Sequence, residues 1–445
     1  MTGTVNDLRS YVAAMLDRGE VAIVEREVDP EFELAAVVSR SQKLNDRPVL
    51  FRNVRGSAFP VIANVYGSLN RMAEILGADA AGLNERWNER LDTASTCTDY
   101  CREVAIPSDL QSGKLSDLPH IHYREKDAAP YITTGVFLAM DPETGVPNLS
   151  FSRCMMSGND ARMECCIDAP HDLAKYQAKA EARGEALEVA ILIGAPPPVF
   201  LAAVASLAPE EDELQLAAHI AGGTIDMRPS RCLNFMVPAA TEIVIEARIR
   251  PIERTRDGPF GEYLGYYCGV NNGAYVLDIL DVRWRKDAYF EGLLCGSRED
   301  LALLAVSWGA RIERGLKRAL PGILDVTIGA APSASIVRID KQYEGHARDV
   351  IETVFRSKPQ YNRMCIVVDK DIDIQDLKTV WWSFLTRGDL DKRVYRYSDL
   401  GGLEGENYEY SGYLGIDATM SLSSPLERAT TPGENEIDLK DYVKN

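Results

Sequence analysis

The chain has 445 residues, 46% of them hydrophobic and 26% charged. That composition is ordinary for a globular protein and gives room for roughly two to four domains with a sizeable core. The formal net charge of −18 argues against nucleic acid and anionic membrane surfaces as partners, because both attract basic patches.

No apolar run reaches the ~18 residues needed to span a bilayer. Residues 1–8 lack a basic segment followed by an apolar one, the mark of a secretory signal. A cytoplasmic protein is therefore expected, with its nine scattered cysteines reduced. Cys97 and Cys101 stand four apart, but no second pair completes a metal pattern.

Residues 7–19 place Leu8, Tyr11, Val12, Met15 and Leu16 at helical spacing. Strand patterns follow at 21–24, 49–51 and 61–65, then a helical one at 69–76, which predicts a small α/β domain over residues 1–110. Over 111–298 strands dominate, at 131–140, 148–156, 187–193, 242–250, 275–284 and 288–292. Only two helical patterns interrupt them, near 171–183 and 211–221, so a β-barrel or sandwich with insertions is expected. Residues 299–321 read as a long connecting helix, with apolar side chains recurring at threes and fours and Pro321 as the stop. Alternating strand and helix patterns over 322–425 predict a second α/β unit, and the polar residues 426–445 a loose arm. The expected fold class is α+β.

The most informative run is Asp257-Gly258-Pro259-Phe260-Gly261-Glu262. A plain strand sends residues five apart to opposite faces. Here Pro removes a ladder donor and Gly permits left-handed angles, so a bend is expected that brings both acids to one spot. Paired carboxylates in unlike environments separate acid and base roles. Other candidates are less specific alone. Arg153 follows Asn148, Ser150, Phe151 and Ser152 on a strand pattern and suits either an ion pair or a bound carboxylate or phosphate. By themselves His171 reads as an ordinary histidine, Asn148 as a turn or edge residue, and Glu213 as one member of a solvated acidic run.

Taken together and in order, Asn148, Arg153, His171, Glu213, the stretch 233–239 and the run 257–267 resemble the UbiD-type decarboxylases. The likeness continues through 340–347 and 414–419, and so spans about residues 10–425. The resemblance implies an N-terminal α/β domain, a central split β-barrel of flavin-reductase type that binds prenylated FMN, a connecting long helix, and a C-terminal α/β domain that builds a homodimer or homohexamer. It implies that Asn148, His171 and Glu213 hold Mn²⁺ (or Mg²⁺) against the cofactor phosphate, with K⁺ nearby. An amide oxygen, a carboxylate and phosphate oxygens suit a hard ion, and one imidazole tilts the choice towards Mn²⁺. Ser150, Phe151, Ser152, Arg153, Ser206 and Leu207 are the further cofactor-binding residues it implies.

The implied catalytic set is Arg153, Asp257 and Glu262. Arg153 steers the carboxylate of a small-molecule acid, Asp257 holds Arg153, and Glu262 donates the proton, which needs a pKa raised by a dry pocket. The implied reaction is a reversible non-oxidative decarboxylation of an aromatic, heteroaromatic or α,β-unsaturated acid through a covalent adduct with prenylated FMN, supplied by a flavin prenyltransferase. Losing CO₂ from an sp² carbon needs an electron sink that side chains lack. Two positions depart from the family pattern: Asp257 stands where Glu is usual, and Tyr413 where many relatives carry Lys. The small residues at 331–335 argue weakly against a phenolic substrate. Two other readings stand beside this one. A flavin-dependent oxidoreductase would use ordinary FMN, although no Gly-x-Gly-x-x-Gly fingerprint is present. A non-catalytic UbiD-like subunit would have lost the chemistry.

Overall fold

In the computed structural model, residues 5–169, 171–328, 334–356, 362–398, 412–429, 431–433, 437, 438 and 442 are described. Residues 331–333, and half of the expected arm at 426–445, lie outside them.

The first sheet has four short strands in the order Ala22–Val24, Val49–Phe51, Val61–Ala63 and Phe290–Gly292. Helix Leu8–Asp17 is fixed at its start by Asp7, whose carboxylate accepts the Arg9 amide. Its face of Leu8, Tyr11, Val12 and Met15 is buried. The fourth strand comes from far along the chain. The pattern at 288–292, read in sequence with the central strands, pairs instead with Val61–Ala63 in parallel. Helices Glu33–Leu44, Leu69–Leu76 and Leu83–Thr93 complete this part.

The central sheet has nine strands, all in antiparallel pairs, and curls into a half-barrel. Its path runs from Tyr131–Ile132 through Cys154–Met155, Arg162–Cys165, Asn271–Trp284, Ile243–Asp257, Leu187–Ile193 and Val136–Met140 to Pro147–Phe151, with Gln111–Gly113 paired to Asn271–Trp284. Each of the two strands expected at 131–140 and 148–156 is in fact two pieces. In both cases one piece lies at the start of the path and the other at its end. Only residues 133–135 and 152–153 join those pieces, and connections that short span about 14 Å at most. The two ends of the path therefore approach one another, and Arg153 sits at that seam.

Helix Arg298–Ala319 serves two cores. Leu303, Val306 and Ala310 pack into the core shared by the first two sheets, whereas Ile312 and Leu316 belong to the core of the last one. That last sheet is ordered Ile323–Ile328, Ala334–Ile339, Met364–Asp369, Tyr413–Ala418 and Val394–Tyr397. Helices His346–Arg356 and Leu377–Arg387 pack against it. Tyr413 turns its ring to Phe355, with centroids 5.2 Å apart.

Candidate active site

Strand Ile243–Asp257 ends on Asp257, and Gly258 follows at φ +82°. That left-handed angle is the reason for a glycine there. The chain then forms a two-residue ladder, Phe260–Gly261 against Tyr267–Cys268, and turns back after Glu262. Backbone bonds fix the bend: Glu262 N–H donates to Tyr266 O at 2.8 Å, and Gly265 N–H to Glu262 O at 2.9 Å. The Gly261 amide donates to Asp127 Oδ1 at 2.8 Å.

The bend does bring the two acids together, and Arg153 lies between them. Arg153 Nε and Nη2 donate to Asp257 Oδ2 at 3.0 and 2.7 Å, and Nη1 donates to Glu262 Oε1. Phe260 provides a floor, its ring centroid 4.9 Å from the guanidinium carbon, within cation–π range. Cys268 Sγ accepts a weak bond from Nη2 at 3.6 Å.

The three side chains are graded in exposure. Asp257 is 0% exposed, Arg153 15% and Glu262 22%. Only Glu262 of the two acids can meet an incoming molecule. Burial raises the Glu262 carboxyl above its ordinary range, and Arg153 pulls it part of the way back. Burial alone would lower the guanidinium, but Cys166, Glu262 and Asp257 around it hold its pKa above the usual value. A permanently charged arginine thus faces a carboxyl group that keeps its proton to higher pH than a free one.

A second set of expected residues gathers on strand Pro147–Phe151. Glu213, at the start of helix Glu213–Ile220, is 4% exposed. Its Oε2 accepts the Leu149 amide at 3.2 Å and Asn148 Nδ2 at 3.4 Å. Burial pushes its carboxyl up to about 8. Asn148 Oδ1, Ser150 Oγ, Ser152 Oγ and His171 Nδ1 are all buried without a hydrogen-bond partner. His171 precedes helix Asp172–Ala182, which packs against the same strand, but it bonds to neither Asn148 nor Glu213. The described residues contain no group of three His, Cys, Asp or Glu suited to a metal. The expected set has only two such side chains plus an amide, so it needs oxygens from a bound group to be complete. Phe151 meets Phe200 edge-on at 4.8 Å. Ser206 is exposed and Leu207 half-buried, on the loop between helices Pro197–Ala202 and Glu213–Ile220.

Buried polar atoms without partners are uncommon and call for a bound group or water. These orphans fall on four of the residues that sequence had assigned to cofactor and metal. The donor set, an amide oxygen, a carboxylate, an imidazole and two hydroxyls, fits a divalent ion beside a phosphate.

Comparison with known proteins bears on the same residues. Three family models match in succession: the N-terminal domain of 3-octaprenyl-4-hydroxybenzoate carboxy-lyase over residues 12–91, its Rift-related domain over 97–298, and its C-terminal domain over 304–418. This chain belongs to the UbiD family. The UbiD likeness also holds for individual relatives along their whole length. The anhydromevalonate phosphate decarboxylase of Methanothermobacter thermautotrophicus is 31% identical over 91% of this chain and 95% of its own. The enzyme of the same name from Methanosarcina mazei is 30% identical over 96% and 99%. The UbiD-class enzyme HmfF from Pelotomaculum thermopropionicum, solved in complex with FMN, superimposes with a TM-score of 0.91 at 30% identity, over 98% of this chain and 100% of that one. An evolved dimeric form of HmfF in complex with prFMN gives 0.89 over the same shares, again at 30% identity. As a UbiD-family member with decarboxylase relatives, the protein is a carboxy-lyase. No helix among its described residues is long and apolar enough to cross a membrane.

Sequence reasoning missed the surroundings of Arg153. Phe260 lay inside the diagnostic run, yet nothing marked it as the floor. Tyr131 and Cys268 reach the site only through strand pairing, Tyr131 opposite Met155 and Cys268 opposite Phe260. The pairing of Tyr131 is long-range and leaves no local signal.

Proposed function

We propose that this carboxy-lyase catalyses the reversible, non-oxidative decarboxylation of an aromatic, heteroaromatic or α,β-unsaturated carboxylic acid with prenylated FMN as cofactor. The observation that carries the reading is the buried Asp257–Arg153–Glu262 chain, in which one acid is sealed and the other is accessible and raised in pKa.

Arg153 binds and orients the substrate carboxylate through N–H groups that Asp257 leaves free. Asp257, sealed beneath, fixes the guanidinium. Glu262 holds a proton beside the carbon that loses CO₂ and delivers it there; in the carboxylating direction it takes the proton back. The prenylated flavin, when bound, supplies the electron sink. Asn148, His171 and Glu213 hold Mn²⁺ (or Mg²⁺) against its phosphate, with K⁺ nearby. Ser150, Phe151, Ser152, Ser206 and Leu207 line the cofactor in a central sheet that acts as the split barrel of flavin-reductase type. A flavin prenyltransferase supplies the cofactor, and the C-terminal unit builds a homodimer or homohexamer.

The test is co-expression with a flavin prenyltransferase, followed by a visible spectrum and mass of the bound flavin and a screen for CO₂ release. The panel spans aromatic, heteroaromatic and α,β-unsaturated acids and includes anhydromevalonate phosphate and vanillic acid. Related UbiD-type decarboxylases are named for these two compounds. Bound prenylated FMN and CO₂ from at least one acid are expected. A loaded enzyme that releases CO₂ from none of them contradicts the proposal.

A further inference from the structure

The two glycines of the run 257–262 are glycine for different reasons. Gly258 has a left-handed angle; Gly261 does not. What excludes a side chain at Gly261 is space. A Cβ there would lie 2.1 Å from Arg124 Cδ and 2.6 Å from Arg124 Nε, far inside van der Waals contact. Side chains alternate along an extended segment, so Arg124 lies behind the ladder, on the side away from Phe260 and Arg153. From that seat its Nη2 donates to Cys295 O at 2.6 Å. The next residue, Gly296, belongs to the turn that presses on Glu262: a Cβ on it would be 2.9 Å from Glu262 O. The main chain of Arg124 is anchored to the same ladder. Its amide donates to Asp127 Oδ2 at 3.0 Å, and Asp127 Oδ1 accepts the Gly261 amide at 2.8 Å. Beside it, the Ala128 amide donates to Pro259 O at 2.8 Å.

We propose that Arg124 is a positioning residue for the reaction: seated on Gly261, its side chain clamps the turn at 295–296 to the run 257–262 and so holds Glu262 at Arg153. The inference rests on the decarboxylase reading of Arg153, Asp257 and Glu262. It also gives Gly261 a physical reason, since the missing side chain is the room that the arginine occupies. Arg124 acts from behind the ladder and never meets the substrate.

Arg124→Met keeps an aliphatic stem over Gly261 and removes the donors. In the cofactor-loaded enzyme, assayed with the panel acid that gives most CO₂, kcat is expected to fall about tenfold. KM should change less than about threefold, because Arg153 still binds the carboxylate. Arg124→Lys, whose ammonium can still donate to Cys295 O, should return kcat to within about threefold of wild type. Gly261→Ala should evict the arginine and lower kcat about as much as Arg124→Met does. In the Arg124→Met background it should cost less than about threefold more, since two groups acting as one unit are not additive. Thermal melting shows whether each variant is folded; if Arg124→Met is not, the Arg124→Lys and Gly261→Ala enzymes carry the test. Packing of the stem alone would leave Arg124→Met with kcat within about twofold of wild type, which overturns the proposal. So do an Arg124→Lys enzyme no faster than Arg124→Met, and losses that multiply in the double variant. A wild-type enzyme inactive on every acid of the panel defeats the decarboxylase reading, and this inference with it.

Discussion

At the scale of single residues, the site divides labour between two carboxylates by burial. Asp257 has no contact with solvent, so it can orient but cannot exchange protons with a ligand. Glu262 is within reach, and desolvation holds its pKa above that of a free side chain. The arginine between them is charged at any working pH, and its fork lets it pair with Asp257 and Glu262 while retaining an N–H on Nη1 for a third carboxylate. Replacing Glu262 by Gln preserves size and hydrogen bonding and removes only the transferable proton. It therefore separates proton donation from packing more cleanly than any truncation.

At the scale of elements, the position of Glu262 depends on a neighbouring turn. Gly296 has φ +72°, and a Cβ there would lie 2.9 Å from Glu262 O and 3.3 Å from Tyr263 Cα. Gly265, at φ +83°, has open space where its Cβ would be. Gly265→Ala should cost about 1–2 kcal/mol from backbone strain alone. Gly296→Ala should cost roughly a further 1–3 kcal/mol through overpacking, and should cut activity because Glu262 is pushed. Urea unfolding and CO₂ release on both variants check this; equal stability losses would contradict it. This level also shows what the sequence could reveal. The bend at 257–262 was legible because Gly and Pro name their own backbone angles. The strand at 187–193 and the helix at 69–76 were legible because their apolar periods are clean. The breaks at 133–135 and 152–153 were not, because a strand that changes partners keeps the same alternation on both sides. Helices Glu33–Leu44 and Leu83–Thr93 went unread; in the latter only Leu83 and Trp87 are buried on an otherwise polar run.

At the scale of the whole molecule, the order of parts was legible and their interlocking was not. Phe290–Gly292 looked like one more central strand, yet it completes the first sheet, because pairing across more than two hundred residues has no local mark. The helix that follows is tied to that sheet by Glu299, whose carboxylate accepts the amides of Asn64 and Tyr66 at 3.0 and 2.8 Å. Burial raises this acid to about 7, against an unfolded value of about 4.3. The folded state thus favours the neutral form. Its contribution to stability is full below about pH 4.3 and is lost as pH rises through about 7, a change of roughly 3–4 kcal/mol. Unfolding of the cofactor-free protein, followed from pH 4.5 to 8, should show stability falling with pH. Glu299→Gln should flatten that slope, and an unchanged slope would contradict the assignment. The central claim, that Asp257, Arg153 and Glu262 together carry out decarboxylation, is tested most directly by the rate of CO₂ release from the Glu262→Gln holoenzyme, with bound flavin measured by mass in the same sample. The account predicts a full complement of prenylated FMN and a rate at least 100-fold below wild type; a variant that carries the flavin and releases CO₂ at the wild-type rate would contradict it.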